Sequence, residues 1–378
     1  MKMYNFYGGQ TCPESIPIEG LLKAAERILP SKKTQFVNYD FQENQHEGLK
    51  EVVSGWIEQR GEIQVPPSKI LITTGSMLAI TCVVNVLTKP GDTVITDEVA
   101  FMGALSSFRH FGLEIIGVPI DEKDGMDIDA LEETLKNLSA KNIEPKLIYT
   151  TANYQNPTTA VLSIRRRERM IALAKEYNVM ILDDDCYGGV CFGEEPTPKT
   201  LYALGDRELI IHVGSLSKII APGVRLGYLI APDRFMEQIF TVKKVFEGGT
   251  SSFVSAIVGE YLQDNLLSHV EKHNKIVKEK RDLTLEALSE HLDGYVNWVK
   301  PKGGLFIWVR FPETMDTHRL EGLAKQHGIK YDPGRMFSTD LREVKALRLS
   351  YAHMPKDEIQ QGVKLLADCV KRCLDEQT

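Results

Sequence analysis

Between Lys69 and Ile230 short apolar runs alternate with stretches of helical periodicity, and no other feature constrains the fold as tightly. Runs at 70–73, 93–96, 114–118, 147–150, 179–183, 209–212 and 226–230 read as strands. Helical spacing fills 77–86, 101–108, 128–138 and 165–177 between them. Strands that recur with helices between them are the mark of βα units. The pattern therefore predicts an α/β domain on a mostly parallel seven-stranded sheet.

The flanks have a different texture. Residues 1–38 read as an irregular arm, with Gly8-Gly9, Pro13 and Pro17 as breakers and a short helix over 18–28 that Pro30 ends. Leu49, Val52, Val53 and Trp56 recur at helical spacing over 48–59, and Gly61 closes that pattern. After Pro232 come long helical stretches broken by Gly248-Gly249. A strand over 303–309, a helix over 318–326, a strand over 346–351 and a closing helix over 356–373 begun by Pro355 follow. At 378 residues the chain can hold one large core and a smaller second domain, because single cores stop growing near ~250–300 residues. The expected division is an arm over 1–38 joining the small domain, a large domain over 39–250, and a small α+β domain over 251–378.

A net charge of −7 and a pI near 5.8 argue against a nucleic-acid partner, which calls for a basic face. No window approaches the ~18 apolar residues of a membrane span, and Met1 to Gly9 has neither the basic nor the apolar segment of a secretion signal. The expectation is a cytoplasmic protein that works on small molecules and touches no membrane. Cys12, Cys82, Cys186, Cys191, Cys369 and Cys373 form no CxxC pair and lie mostly within apolar runs. They read as buried, reduced thiols, with no disulfide and no metal site.

In open parallel sheets ligands bind beyond the carboxyl ends of the strands, and unusual residues gather there. Gly75-Ser76-Met77 opens a helix whose N–H groups suit a phosphate, or simply holds an N-cap serine. In Asn153-Tyr154-Gln155-Asn156-Pro157 the proline restrains Asn156 to extended backbone, leaving an amide for an oxygen of a ring cofactor, or an ordinary turn. The three carboxylates of Asp183-Asp184-Asp185-Cys186-Tyr187 repel one another, so at least one calls for a cation. A protonated pyridine nitrogen and a magnesium ion both answer. In Gly214-Ser215-Leu216-Ser217-Lys218 a lysine follows an apolar run among small hydroxyls, with Arg225 seven positions on. A partly desolvated amine of lowered pKa attacks carbonyls, and Ser215, Ser217 and Arg225 suit an anion beside it; a loop-edge lysine among turn formers is the plain alternative. An aldehyde that carries a phosphate is pyridoxal phosphate.

Together these residues resemble the fold-type I pyridoxal-phosphate enzymes, specifically the class I/II aminotransferases. Within that class the chain is similar to the branch of 2-aminoadipate, kynurenine and aromatic or branched-chain aminotransferases and to the catalytic half of MocR-type regulators. The resemblance runs from about Phe6 to Val370. It implies that Lys218 is the Schiff-base lysine and proton carrier, that Asp184 faces the pyridine nitrogen, and that Asn156 and Tyr187 bond the ring's phenolic oxygen. Phe101 would stack on the ring, and Gly75, Ser76, Met77, Ser215, Ser217 and Arg225 would form the phosphate cup. Arg348, in Leu347-Arg348-Leu349-Ser350-Tyr351, would fork the substrate α-carboxylate, with Asn156 and Gly9 beside the substrate. Tyr39 would reach the phosphate of the neighbouring subunit, which implies a homodimer with shared sites.

Two departures stand out. Thr159 occupies the position after Asn-Pro-Thr where the family commonly has glycine, so a different local turn is expected. The stretch 38–48 lacks the glycine that usually follows the tyrosine at 39. No winged-helix segment precedes the arm, which disfavours a regulator. The implied activity moves an amino group from an L-amino acid to a 2-oxo acid, with 2-oxoglutarate as acceptor, by ping-pong kinetics. A lyase, decarboxylase or oxidative deaminase on the same scaffold, or a cofactor-binding sensor without turnover, stays open on sequence alone. The arm over 4–17 offers no decisive charge in Tyr7-Gly8-Gly9-Gln10, so neutral, aromatic or branched amino acids are preferred to acidic ones.

Overall fold

The computed structural model describes residues 2–30, 34–40, 46–60, 62–195 and 197–375. Gly61, expected to close the helix that is observed at Glu47–Gln59, and residues 41–45 of the Tyr39 stretch lie outside the described residues.

Seven strands form the large sheet. Glu114–Val118, Thr93–Asp97, Leu147–Thr150, Met180–Asp184 and Ile210–Ser215 lie side by side in parallel. Gly227–Ile230 then runs antiparallel between Ile210–Ser215 and Leu71–Thr73. The strands read as unbroken apolar runs because both faces are covered. Val94, Leu147, Met180, Leu182 and Ile211 pack under the helices Ser76–Leu87, Met102–His110 and Asp233–Glu247. Their neighbours Ile95, Ile148, Ile181 and Ile210 pack on the other face with Ile128–Ala140 and Ile164–Glu176. Each such side chain taken fully from water contributes roughly 1.5–3 kcal/mol.

The strands at 114–118 and 147–150 and the helix at 18–28 have the expected bounds; other elements differ by one to three residues, two of them for a clear local reason. Ile210–Ser215 runs past His212 because its last residues pair with the antiparallel strand, Ser215 opposite Gly227. The strand expected from 303 begins at Phe306, because Gly304 takes a φ of 77° that no strand residue adopts.

A second, antiparallel sheet runs in the order Asn297–Trp298, Phe306–Arg310, Ala346–Ser350, Asp332–Pro333. The amino-terminal arm joins this region. Tyr4–Asn5 pairs in parallel with Ile329–Lys330, and the Ser350 N–H donates to the Phe6 carbonyl at 2.9 Å. The helix Ser252–Leu292 packs against Ile18–Ile28, Glu47–Gln59 and the closing helix Lys356–Asp375. It thereby connects the two sheets' surroundings with one continuous rod.

Candidate active site

The carboxyl ends of the parallel strands open on a cavity of about 140 Å³. Ser76, Met77, Phe101, Asn156, Asp184, Tyr187, Ser215, Ser217, Lys218 and Arg225 line it, together with Thr151, Cys186 and Pro222. Asp184 and Ser215 end strands, Ser76 and Met77 open the helix Ser76–Leu87, and the others come from the loops that follow strand ends, which is where an open parallel sheet gathers side chains from separate strands.

The three consecutive carboxylates diverge. Asp183 meets the His212 ring, with Nδ1 and Oδ2 3.1 Å apart. Asp185 accepts from Arg60 at 2.6 Å and from Asn153 at 2.9 Å. Asp184 alone faces the cavity. Its Oδ2 accepts from the Tyr149 hydroxyl at 2.7 Å, while its Oδ1 is buried with no partner. Burial holds this carboxyl above the usual range. An orphaned buried oxygen of this kind is costly until a donor arrives, and a protonated heterocyclic nitrogen is such a donor. Among the described residues no group of three His, Cys, Asp or Glu side chains converges as metal ligands would.

Lys218 extends from the turn after Ile210–Ser215, and its Nζ donates to the Gly9 carbonyl at 2.8 Å. Burial brings the ammonium down to about 8; Arg348 and Arg225 add to the shift and Asp184 opposes it. The amine is thus partly neutral near pH 7, as a carbonyl-attacking lysine must be.

The opposite end of the cavity is built for an anion. Gly75 caps the helix Ser76–Leu87 at a φ of 78°, and a Cβ there would lie 2.7 Å from the Arg225 Nη2. Arg225 itself sits at a φ of 51° after the turn Pro222–Val224. The Ser217 N–H donates to Ser215 Oγ at 3.2 Å, and Ser217 Oγ is buried without a partner. A helix N-terminus, a guanidinium and an unengaged hydroxyl together suit a phosphate. The residues present therefore fit pyridoxal phosphate at both ends, ring nitrogen and phosphate.

Asn156 links the cavity to Arg348. Its Nδ2 donates to the Tyr187 hydroxyl at 3.4 Å, and its Oδ1 accepts from Arg348 Nη1 at 2.5 Å. Arg348 is 1% exposed and lies over the Phe306 ring, 3.9 Å from guanidinium carbon to ring centre. Thr159 takes a φ of 61°, so a β-branched residue here carries the left-handed backbone that glycine adopts freely. Tyr39 is not brought to this cavity. It is 86% exposed and lines a separate surface concavity with Phe36 to Asp40 and Glu247 to Phe253.

Besides Thr151, Cys186 and Pro222 on the cavity wall, three neighbours escaped the sequence reading. Tyr149 lies in an apolar strand, and the signal was there: a buried tyrosine hydroxyl needs a partner. Phe306 shows no mark that separates it from core. Asp332 precedes Pro333, and an Asp-Pro pair reads as a turn, which hides its bond to Arg348.

Comparison with known proteins agrees with this geometry. The family model for aminotransferase class I and II matches residues 11–366. An aromatic-amino-acid aminotransferase 1 of Thermococcus litoralis is 31% identical over 366 residues, covering 96% of this chain and 87% of the relative. A 2-aminoadipate transaminase of Thermus thermophilus is 31% identical over 374 residues, covering 98% and 90%. A solved alpha-aminoadipate aminotransferase of Thermus thermophilus, complexed with N-(5'-phosphopyridoxyl)-L-leucine, superposes with a TM-score of 0.91 at 29% identity, covering 99% and 93%.

Proposed function

The chain belongs to the class I and II aminotransferases, pyridoxal-phosphate enzymes of fold type I, and from that premise we propose that it moves the amino group of a neutral L-amino acid to 2-oxoglutarate. The observation that carries the assignment of roles is one cavity holding both an amine of pKa about 8, Lys218, and a buried carboxylate oxygen without a partner, on Asp184.

In this reading Asp184 keeps a proton on the cofactor's ring nitrogen, and Asn156 with Tyr187 holds the phenolic oxygen. Phe101 covers the ring. Ser76 and Met77 backbone groups, Ser215, Ser217 and Arg225 hold the phosphate, with Gly75 leaving room for the guanidinium. The cofactor supplies an electron sink for the bonds at the substrate's Cα. Arg348 grips the α-carboxylate in a two-pronged contact. Lys218 Nζ anchors the cofactor at rest and takes up the proton that the substrate Cα gives up. Gly9, whose added Cβ would lie 3.2 Å from Lys218 Nζ, 3.6 Å from Phe306 and 4.0 Å from the Tyr187 hydroxyl, sits beside these groups with no room for a side chain. The Phe306 ring beside Gly9 and the similarity to an aromatic-amino-acid aminotransferase support an aromatic or branched donor.

The same proposal includes a homodimer with shared sites, in which the partner subunit's Tyr39 reaches the phosphate. Phe253 lies exposed in the same concavity as Tyr39, and Val245 (81% exposed) and Phe246 lie exposed at the end of the helix that leads to Glu247 of that concavity; together they support a covered face there. The chain divides into an arm over 1–38, a cofactor-binding domain over 39–250 and a small domain over 251–378, and the pairing of Tyr4–Asn5 with Ile329–Lys330 supports the arm's joining the small domain. A cytoplasmic setting is in keeping with six unpaired cysteines. The test is a scan of amino donors at fixed 2-oxoglutarate with glutamate formation as readout. Turnover is expected with aromatic or branched donors; release of ammonia or carbon dioxide without glutamate would contradict it.

A further inference from the structure

Arg348 lies directly opposite Asp332 in the small antiparallel sheet, and neither is reached by solvent beyond 1%. Asp332 Oδ2 accepts from Arg348 Nε at 3.2 Å and from Nη2 at 2.8 Å. The same oxygen accepts the Gly8 backbone N–H at 2.9 Å. Arg348 Nη1 donates to Asn156, and the Phe306 and Phe337 rings flank the guanidinium carbon at 3.9 and 4.8 Å. A guanidinium has five N–H bonds in a fixed plane. Nε–H, one Nη2–H and one Nη1–H are occupied by protein. What remains is one N–H on each terminal nitrogen, the pair that an end-on carboxylate requires.

A buried carboxylate beside the substrate-binding arginine has an electrostatic cost as well. It offsets the charge that would draw a substrate carboxylate in, so its presence calls for a compensating geometric role. We propose that Asp332 is a positioning residue for the reaction: it locks the Arg348 fork with its two free N–H bonds toward the substrate's α-carboxylate and, through the Gly8 N–H, fastens the amino-terminal arm to the same clamp. This rests on the reading of Arg348 as the carboxylate-binding residue. Lys218 Nζ and the Gly9 carbonyl meet one residue further along the arm, so the arm spans both halves of the site.

Two effects of removing Asp332 oppose each other and can be separated. Loss of orientation raises KM for every substrate that bears an α-carboxylate; relief of the negative charge lowers it. Positioning is expected to win because an unanchored fork must be ordered at each binding event. In cofactor-loaded Asp332→Ala, KM for both the amino donor and 2-oxoglutarate should rise about tenfold or more while kcat changes by less than about threefold. Asp332→Asn, which keeps one acceptor and the side chain's shape, should fall between, and it also serves if the alanine variant does not fold. The half-reaction of the amine that corresponds to the donor without its carboxylate should keep its rate within about twofold in either variant. The bound cofactor's absorbance should not change. A KM that stays level or falls, or an equal loss with the carboxylate-free amine, would overturn the proposal. Wild-type protein that turns over no donor would instead count against the functional reading of the site, which the Asp332 comparison leaves distinguishable.

Discussion

Asp184 and Lys218 are each unfavourable alone, one a carboxylate oxygen buried without a donor and the other an amine stripped of water. Placed in one cavity they become sensible as two ends of a ligand that satisfies both. Gly75 sets a steric condition at the anion-binding end of that cavity. An alanine there would meet Arg225 at 2.7 Å and would have to hold a φ of 78°. Strain of this kind costs of order 1–3 kcal/mol, so Gly75→Ala should weaken pyridoxal-phosphate binding about tenfold or more, as read by cofactor titration of the apoprotein. An unchanged affinity would remove Gly75 from the phosphate end. The cavity-lining residues were legible because each combines an unusual type with a position just past an apolar run, as Asp184 and Lys218 do. Asp332 and Phe306 were not, because their roles arise from cross-strand neighbours distant in sequence.

Among the elements, the helix Ser252–Leu292 does more than join two regions. His269 Nε2 donates to the Ile219 carbonyl at 2.7 Å, while its Nδ1 accepts from the Tyr261 hydroxyl; Asn274 donates to the Gly189 carbonyl at 3.0 Å. The turns that follow Asp184 and Lys218 are thus pinned from below. One turn along, the His273 ring bonds Ser15 of the arm at 2.8 Å, and burial, then the charge of nearby His269 and Lys280, brings its pKa down to about 4 from 6.5. The folded protein keeps this ring neutral where the unfolded chain would protonate it. Its contribution is therefore complete above pH 6.5 and is lost progressively as pH falls toward 4, by roughly 3 kcal/mol. His273→Gln should flatten the acid limb of unfolding free energy by that amount in denaturant titrations at pH 7 and pH 4; parallel acid limbs would refute it. Strand existence was readable here because both faces are buried, and helix ends were readable to within a residue or two. The antiparallel direction of Gly227–Ile230 was not drawn from the sequence, although the connection after Ser215 is too short for a crossover helix. The extent of one continuous helix from Ser252 to Leu292 depends on packing against three other helices, which no local pattern records.

For the whole molecule, the exposed Val37, Tyr39, Val245, Phe246 and Phe253 are the apolar surface that the proposed dimer would cover. A second copy that covers them would make sites that a monomer leaves incomplete. Sedimentation should give twice the chain's 42.5 kDa, and the pair Val245→Asp with Phe246→Asp should yield monomers with cofactor affinity about tenfold lower. A fully active monomer would end the shared-site account. The most direct test of the central claim is a single half-reaction. Cofactor-loaded protein is given an aromatic or branched amino acid with no acceptor, and the released 2-oxo acid is counted against bound cofactor. One equivalent is expected, with the cofactor recovered in its amine form, and none from Lys218→Ala. Continued release beyond one equivalent, no release with any donor, or undiminished release from the Lys218 variant would contradict it.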